Sequence, residues 1–160
     1  LAGARGGFHP PAGGEPVDEM IAPDDLLAAV PSADVVVLST PATRHTAGMV
    51  DADFLSRMAP RSLLVNVGRG QLIDEVALRR ALDAGRPARA ILDVAVDEPP
   101  ADDSWLWDHP SVTLTAHTSA GGDGRHARAA DVFAGNLSRF VAGEALVDEV
   151  TAASREAPPG

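Results

Sequence analysis

Four short apolar runs, rich in β-branched residues and separated by polar or amphipathic segments, set the pattern of this chain. They lie at residues 33–39, 63–67, 90–94 and 112–116. Such runs are typical of strands buried on both faces of a parallel sheet. Parallel neighbours need long crossover connections, and helical patterns separate these runs. The sequence therefore predicts an α/β fold, a doubly wound parallel sheet.

Helix start and stop signals lie in the segments between and after these strands. Aspartates suited to the N-cap position begin three of the predicted helices, and proline or glycine ends each of them. In the fourth helix, apolar residues recur at intervals of three and four as far as a C-cap at Gly143. Residues 105–107 predict a hydrophobic turn packed on the sheet. The four helices are predicted between Pro23 and Pro31, between Asp51 and Pro60, from Asp74 to Gly85, and over residues 125–142.

Composition narrows the function classes. The 160 residues include no cysteine, which excludes disulfides, thiolate catalysis and cysteine-ligated zinc, and the five histidines lack metal-ligand spacing, so no metal is predicted. Thirteen basic residues against 23 acidic ones give a net charge of −10 without a basic stripe, and nucleic acid is not expected as a partner. No apolar run approaches the ~20 residues that cross a bilayer, so no membrane partner is expected. The sequence predicts a soluble, cytoplasmic protein.

Polar side chains of the types that take part in catalysis follow three of the predicted strands. Arg69 comes just after the second strand, Asp93 and Glu98 come at and after the third, and His117 comes just after the fourth. Strands of one parallel sheet all run the same way. These side chains are therefore expected at one edge of the sheet, where open α/β sheets bind their ligands.

This set of side chains suits the interconversion of a hydroxyl and a carbonyl group. A guanidinium can hold a substrate carboxylate with two hydrogen bonds, and an imidazole can take or give the proton of the hydroxyl. The remaining requirement is a hydride carrier, and the ligand crevice of such a sheet is where a nicotinamide cofactor lies. Each residue also has a structural alternative: a salt-bridged Arg69, a hydrogen-bonded His117 and a solvated Glu98.

Four motifs, in this order, resemble the NAD-binding domain of the D-isomer-specific 2-hydroxyacid dehydrogenases. They are DVVVLSTPAT at residues 34–43, NVGRG at 66–70 followed by DE at 74–75, LDV at 92–94 followed by EP at 98–99, and LTAH at 114–117. The resemblance covers roughly residues 24–150. Two departures, Ala116 in place of the usual proline and Ala95 in place of a frequent aromatic residue, alter packing and leave the chemistry in place. Residues 107–110 and 140–144 look like the hydroxypyruvate/glyoxylate-reductase-like branch.

The resemblance implies a catalytic role for three residues. Arg69 would bind the substrate's carboxylate and carbonyl oxygen, and His117 would be the general acid/base. Glu98 would orient and charge the histidine. Their positions after the predicted strands and their chemistry point to the same three residues.

The resemblance also implies a site for NAD or NADP, with Asp93 near the nicotinamide carboxamide. The family's second strand usually ends in an acidic residue for NAD and in basic residues for NADP. Arg5 indicates NADP if residues 1–4 are a remnant of that strand, and it is otherwise an arbitrary loop arginine. The other implied cofactor contacts are Thr40, Pro41, the backbone of Val67 and Gly68, Arg69, His117, Ser119 and Ala120.

One motif of the family is missing from the sequence. Its GxGxxG turn, which lets a helix N-terminus approach the pyrophosphate, should precede Leu1. The predicted fold is therefore an incomplete, Rossmann-like sheet that lacks its first βα unit. The predicted segments are a loop or strand remnant at 1–23, a partial dinucleotide-binding domain at 24–122, a C-terminal helix and return segment at 123–150, and a disordered tail at 151–160.

The function predicted from these observations is that of an NAD(P)-dependent oxidoreductase. It would interconvert a D-2-hydroxyacid and its 2-keto acid, as the C-terminal part of a longer or truncated enzyme, and the resemblance implies a homodimer. Two alternatives stay open. One is a non-catalytic nucleotide-sensing or oligomerisation module of the same fold, and the other is a purely structural domain.

Overall fold

The structure is a computed structural model that describes residues 18–149. The predictions for Arg5, for the loop before residue 18 and for the tail from residue 151 lie outside the described residues. The strands are β1 (Val35–Leu38), β2 (Leu63–Asn66), β3 (Arg89–Leu92) and β4 (Val112–Leu114). The helices are α1 (Leu26–Ala29), α2 (Ala52–Arg57), α3 (Glu75–Asp83), α4 (Trp105–Asp108) and α5 (Arg125–Ala142).

The four strands form one parallel sheet in the order in which they occur along the chain. In the last row of the register, Leu38, Asn66, Leu92 and Leu114 lie side by side. The segments that follow the strands therefore leave from one edge. The predicted α/β, Rossmann-like fold is confirmed.

One face of this sheet carries the hydrophobic core. Leu64 and Ala90 are fully buried on it, and α2 and α3 cover it with Phe54, Leu55 and Leu78. Side chains alternate across a strand, so every second residue of β2 and β3 reaches this core. The burial of this face holds the strands, and with them their loops, in a fixed register.

The opposite face of the sheet is exposed, counting the residues at 18–149. Val35 and Val37 of β1 are 52% and 57% exposed. The prediction of strands buried on both faces is therefore wrong for this face, because no described helix packs on it. Helix α5 has no buried residue either, and its Phe133 is 68% exposed. Within the same residues, no helix combines the length and apolar character needed to span a bilayer.

Two of the three predicted N-caps are confirmed. The Asp51 side chain accepts a hydrogen bond from the Phe54 N–H, and Asp74 accepts from Val76 and Ala77, as expected of N-cap residues. Helix α5 covers the predicted range and ends at a left-handed Gly143.

Two local predictions need correction. The segment after Pro23 does not end at Pro31 but continues as a 3₁₀ turn to Ser32. Proline is tolerated there because the first residues of a new turn need no N–H partner. Asp25 also makes no capping hydrogen bond. The predicted hydrophobic turn is the short helix α4, and only Leu106 of its three apolar residues is buried in the core.

The close packing of the loop after β2 on the loop after β3 can be tested at Gly70. A Cβ atom at Gly70 would overlap the backbone of Ala95 and Val96, which belongs to the loop after β3. We expect Gly70→Ala to lower the free energy of unfolding by about 1–3 kcal/mol, measured by urea denaturation. Gly135→Ala is the matched control, since a Cβ there meets nothing within 4 Å. Because Gly135 lies inside helix α5, Gly135→Ala should raise the free energy of unfolding by about 0.5–1 kcal/mol. Equal effects of the two substitutions would contradict the close packing at Gly70.

Candidate active site

The loop after β2 is held by a buried asparagine at the end of the strand. Asn66 is fully buried, its Oδ1 accepts a hydrogen bond from the Gly68 N–H at 3.0 Å, and its Nδ2 donates to the Arg69 carbonyl at 2.9 Å. A buried amide satisfied on both sides fixes the loop that carries Arg69. Sequence reasoning missed this role of Asn66. The available signal was a polar residue closing an apolar strand.

Arg69 leaves the carboxyl end of β2 in an extended conformation. Its Nη1 donates to the Gly68 carbonyl at 2.6 Å. Its positive charge is one of the causes that lower the pKa of Glu98. The charge of the guanidinium therefore acts on Glu98 in the loop that follows β3.

Glu98 and His117 are in direct contact. His117 Nδ1 lies 2.7 Å from Glu98 Oε2, and the other carboxylate oxygen accepts the Ala95 N–H at 3.1 Å. The hydrogen bond from His117 is the largest cause that lowers the pKa of Glu98, and it outweighs the partial burial that raises it. Glu98 is therefore a carboxylate at neutral pH, so Nδ1 donates the hydrogen bond. The nitrogen left for proton exchange with a ligand is Nε2.

Asp93 lies just after β3 and makes hydrogen bonds to the segment around His117. Its side chain is buried, and Oδ1 accepts from the Thr115 hydroxyl and from the Thr118 N–H at 2.9 Å. Oδ2 accepts from the Ser119 N–H at 2.8 Å. Burial raises the pKa of Asp93, but the hydrogen bonds from Ser119, Thr115 and Thr118 together hold it well below its ordinary value. The carboxylate is thus engaged by the residues around His117.

An open cleft of about 440 Å³ lies beside this pair. His117 and Glu98 line it with side chains 43% and 38% exposed, so both are accessible to a small molecule. Pro100 and the half-exposed Trp107 form an apolar wall. Trp107 was predicted to be part of a packed turn, and the sequence carried no signal that it would face a cleft with His117.

The loops after β1 and β2 have features that fit a bound cofactor. The Oγ1 atom of Thr40 is buried and has no hydrogen-bond partner within residues 18–149, which suits a hydroxyl or phosphate oxygen of a ligand. A Cβ atom at Gly68 would lie 2.7 Å from the Thr40 carbonyl oxygen, so only glycine allows the two loops to lie this close. The Val67 N–H donates to Leu38, and the Pro41 carbonyl accepts from Thr46. Thr40, Pro41, Val67 and Gly68 thus lie on two loops that are in close contact with each other.

The remaining predicted contacts lie near His117. Ser119 and Ala120 belong to an exposed 3₁₀ turn, Ser119–Gly121, directly after the histidine. No cluster of three or more metal-ligating side chains occurs in the described part of the chain.

The lowered pKa of Glu98 predicts an acid-sensitive contribution to stability. A carboxyl whose folded pKa lies below its ordinary 4.5 stabilises the fold above that pH, and the contribution is lost as the pH falls through the lowered value. We expect Glu98→Gln to cost up to about 1 kcal/mol near pH 6 and progressively less as the pH falls below 4.5, measured by urea denaturation. In a His117→Ala background this pH-dependent difference should shrink, because the histidine is its main cause. A cost of Glu98→Gln that does not vary with pH would contradict the assignment.

Known proteins are similar to this chain over part of their length. The chain is 42% identical over 130 residues to D-3-phosphoglycerate dehydrogenase 2, chloroplastic, of Arabidopsis thaliana, covering 81% of this chain and 20% of that protein. It is 35% identical to the glycerate dehydrogenase of Methylorubrum extorquens, covering 75% and 39%. A D-isomer specific 2-hydroxyacid dehydrogenase from Xanthobacter autotrophicus Py2, solved with NADPH and MES, superposes with a TM-score of 0.76 at 31% identity, covering 84% and 43%. The chain therefore spans less than half the length of these three proteins.

A family model also matches the chain. Residues 9–119 match the NAD binding domain of the D-isomer specific 2-hydroxyacid dehydrogenases. This range contains all four strands, Arg69, Glu98 and His117. On this match, over more than half of its residues, the chain belongs to the D-isomer specific 2-hydroxyacid dehydrogenase family.

Proposed function

We propose that this chain takes part in the NAD(P)-dependent interconversion of a D-2-hydroxyacid and its 2-keto acid. The observation that carries the proposal is the His117–Glu98 hydrogen bond of 2.7 Å at the strand edge that also carries Arg69. Relatives of this chain include D-3-phosphoglycerate and glycerate dehydrogenases, which is consistent with this reaction class.

Arg69, His117 and Glu98 have different roles in this reaction. Arg69 holds the substrate carboxylate, since a guanidinium offers two parallel donors to two oxygens. In the oxidative direction, His117 Nε2 accepts the proton of the substrate hydroxyl, and in the reductive direction it returns that proton to the carbonyl oxygen. Glu98 keeps the ring in one orientation through its hydrogen bond with Nδ1, which leaves Nε2 for the substrate.

The bound nicotinamide supplies the hydride acceptor or donor in this reaction. Thr40, Pro41, Val67 and Gly68 would hold the cofactor, and the unpartnered Thr40 hydroxyl supports this placement. The cofactor is NAD or NADP. The Xanthobacter relative was solved with NADPH.

Two finer points of the proposal concern partners and location. The expected substrate is a small 2-keto or 2-hydroxy acid that enters the cleft beside His117. The homodimer implied by the family and the cytoplasmic location stay predictions.

Replacing His117 tests the proposal. We expect His117→Ala to lower kcat by about 10²–10⁴-fold with little change in NADH affinity, because it removes the acid/base and leaves the cofactor loops intact. The assay follows NADH or NADPH oxidation with a panel of 2-keto acids, using the longest open reading frame that contains this chain. His126→Ala is the control, since His126 lies exposed on α5.

The outcomes separate the candidate functions. Undiminished turnover in His117→Ala would remove this residue from the mechanism. NADH binding, detected by its fluorescence, without turnover on any 2-keto acid would favour the nucleotide-sensing alternative. Absence of both would favour a structural domain.

Replacing Arg69 tests substrate binding separately. Arg69→Lys keeps the charge but loses the two-pronged geometry. We expect the KM for the 2-keto acid to rise about tenfold or more with the cofactor Kd unchanged, measured by steady-state kinetics and NADH titration. Arg61→Lys, at an exposed position before β2, should leave both constants unchanged. An unchanged KM in Arg69→Lys would show that Arg69 does not hold the substrate.

A further inference from the structure

His117 has an unusual backbone conformation for a residue with a side chain. Its φ is 53°, in the left-handed region that glycine favours. A non-glycine residue stays there only when its surroundings impose the conformation. The contacts that impose it should therefore decide where the imidazole points.

Asp93 provides those contacts from both sides of the histidine. Its carboxylate accepts hydrogen bonds from the Thr115 hydroxyl, two residues before His117, and from the N–H groups of Thr118 and Ser119, which follow it. Its backbone carbonyl accepts the His117 N–H itself at 2.9 Å. Asp93, a buried residue just after β3, thus holds the chain on both sides of His117 by hydrogen bonds.

We propose that Asp93 is a positioning residue that acts through His117 by holding its left-handed turn, so that Nδ1 meets Glu98 and Nε2 faces the cleft. Both carboxylate oxygens are already engaged, and the side chain is only 4% exposed. Asp93 therefore acts on the orientation of the histidine. The inference deepens the proposed function and rests on the role of His117 in it.

Charged groups near the histidine other than Asp93 are Glu98 in direct contact and Arg69, whose charge reaches Glu98. The pKa of Glu98 is therefore a sensor of the imidazole's position. If the turn relaxes and the imidazole moves away, this pKa rises towards its ordinary value. Simple loss of stability elsewhere would not move it.

The test is the pKa of Glu98 in the 160-residue chain, followed by carbon-13 NMR of its carboxyl carbon. In Asp93→Asn an amide N–H₂ replaces an accepting oxygen and opposes the N–H of Ser119 or Thr118. We expect the pKa of Glu98 to rise and the downfield His117 Nδ1–H signal to disappear. Asp97→Asn is the control, because it removes one charge from the same exposed loop but makes none of these contacts.

A second pair of variants guards against failure of Asp93→Asn to fold. Thr115→Val removes one hydrogen bond to Asp93 at nearly constant volume, and Thr115→Ser keeps the hydroxyl. We expect the pKa of Glu98 to rise in Thr115→Val and to return to the wild-type value in Thr115→Ser. An unchanged pKa in both Asp93→Asn and Thr115→Val would overturn the inference.

Kinetics then distinguish this inference from the proposed function. In the longest open reading frame, Asp93→Asn should lower kcat about 100-fold with an unchanged Kd for NADH, because the base is misplaced. A weaker NADH affinity at unchanged kcat would instead make Asp93 a cofactor ligand and overturn the positioning role. If His117→Ala leaves turnover intact while Asp93→Asn still shifts the pKa of Glu98, the proposed function fails and the positioning role stands.

Discussion

The hydrogen bond between His117 and Glu98 joins two loops that leave neighbouring strands, and the chemistry of the site depends on it. Parallel pairing of β3 with β4 brings the two loops to the same edge. The Ala95 N–H donates to the other carboxylate oxygen of Glu98, which fixes the position of the carboxylate relative to the ring. The result is an imidazole with one nitrogen engaged by the protein and the other available to a ligand. The same residue types on independent surface loops would not have this geometry.

Close backbone contact between loops makes this arrangement rigid. Gly68 lies against Thr40, and Gly70 lies against Ala95, so the loops after three successive strands pack on one another without intervening side chains. Asn66 satisfies the Gly68 N–H and the Arg69 carbonyl in the loop after β2. Rigid loops suit the proposed reaction, because hydride and proton transfer both require reacting atoms within a few tenths of an ångström of their productive positions.

Local features and the sheet edge at which the polar residues gather were predictable from the sequence, whereas specific long-range hydrogen bonds were not. The caps at Asp51 and Asp74 and the stop at Gly143 depend on residues within one turn, so their patterns are sufficient. The gathering of polar residues at one edge followed from parallel pairing alone. The hydrogen bonds of Asp93 join residues 22 to 26 positions apart, and no pattern encodes them. The exposed outer face of β1 was also missed, because an apolar run indicates a strand without showing what covers it.

The central claim is that Arg69 and His117 bind one and the same small molecule. Oxamate, a stable isostere of a 2-keto acid, can be titrated into the NADH-loaded product of the longest reading frame while the NMR signals of the Arg69 guanidinium and the His117 imidazole are followed. Both signals should shift along a single saturation curve, and the shift at His117 should be largest at Nε2. A shift at only one of the two residues, or two curves with different midpoints, would contradict the claim.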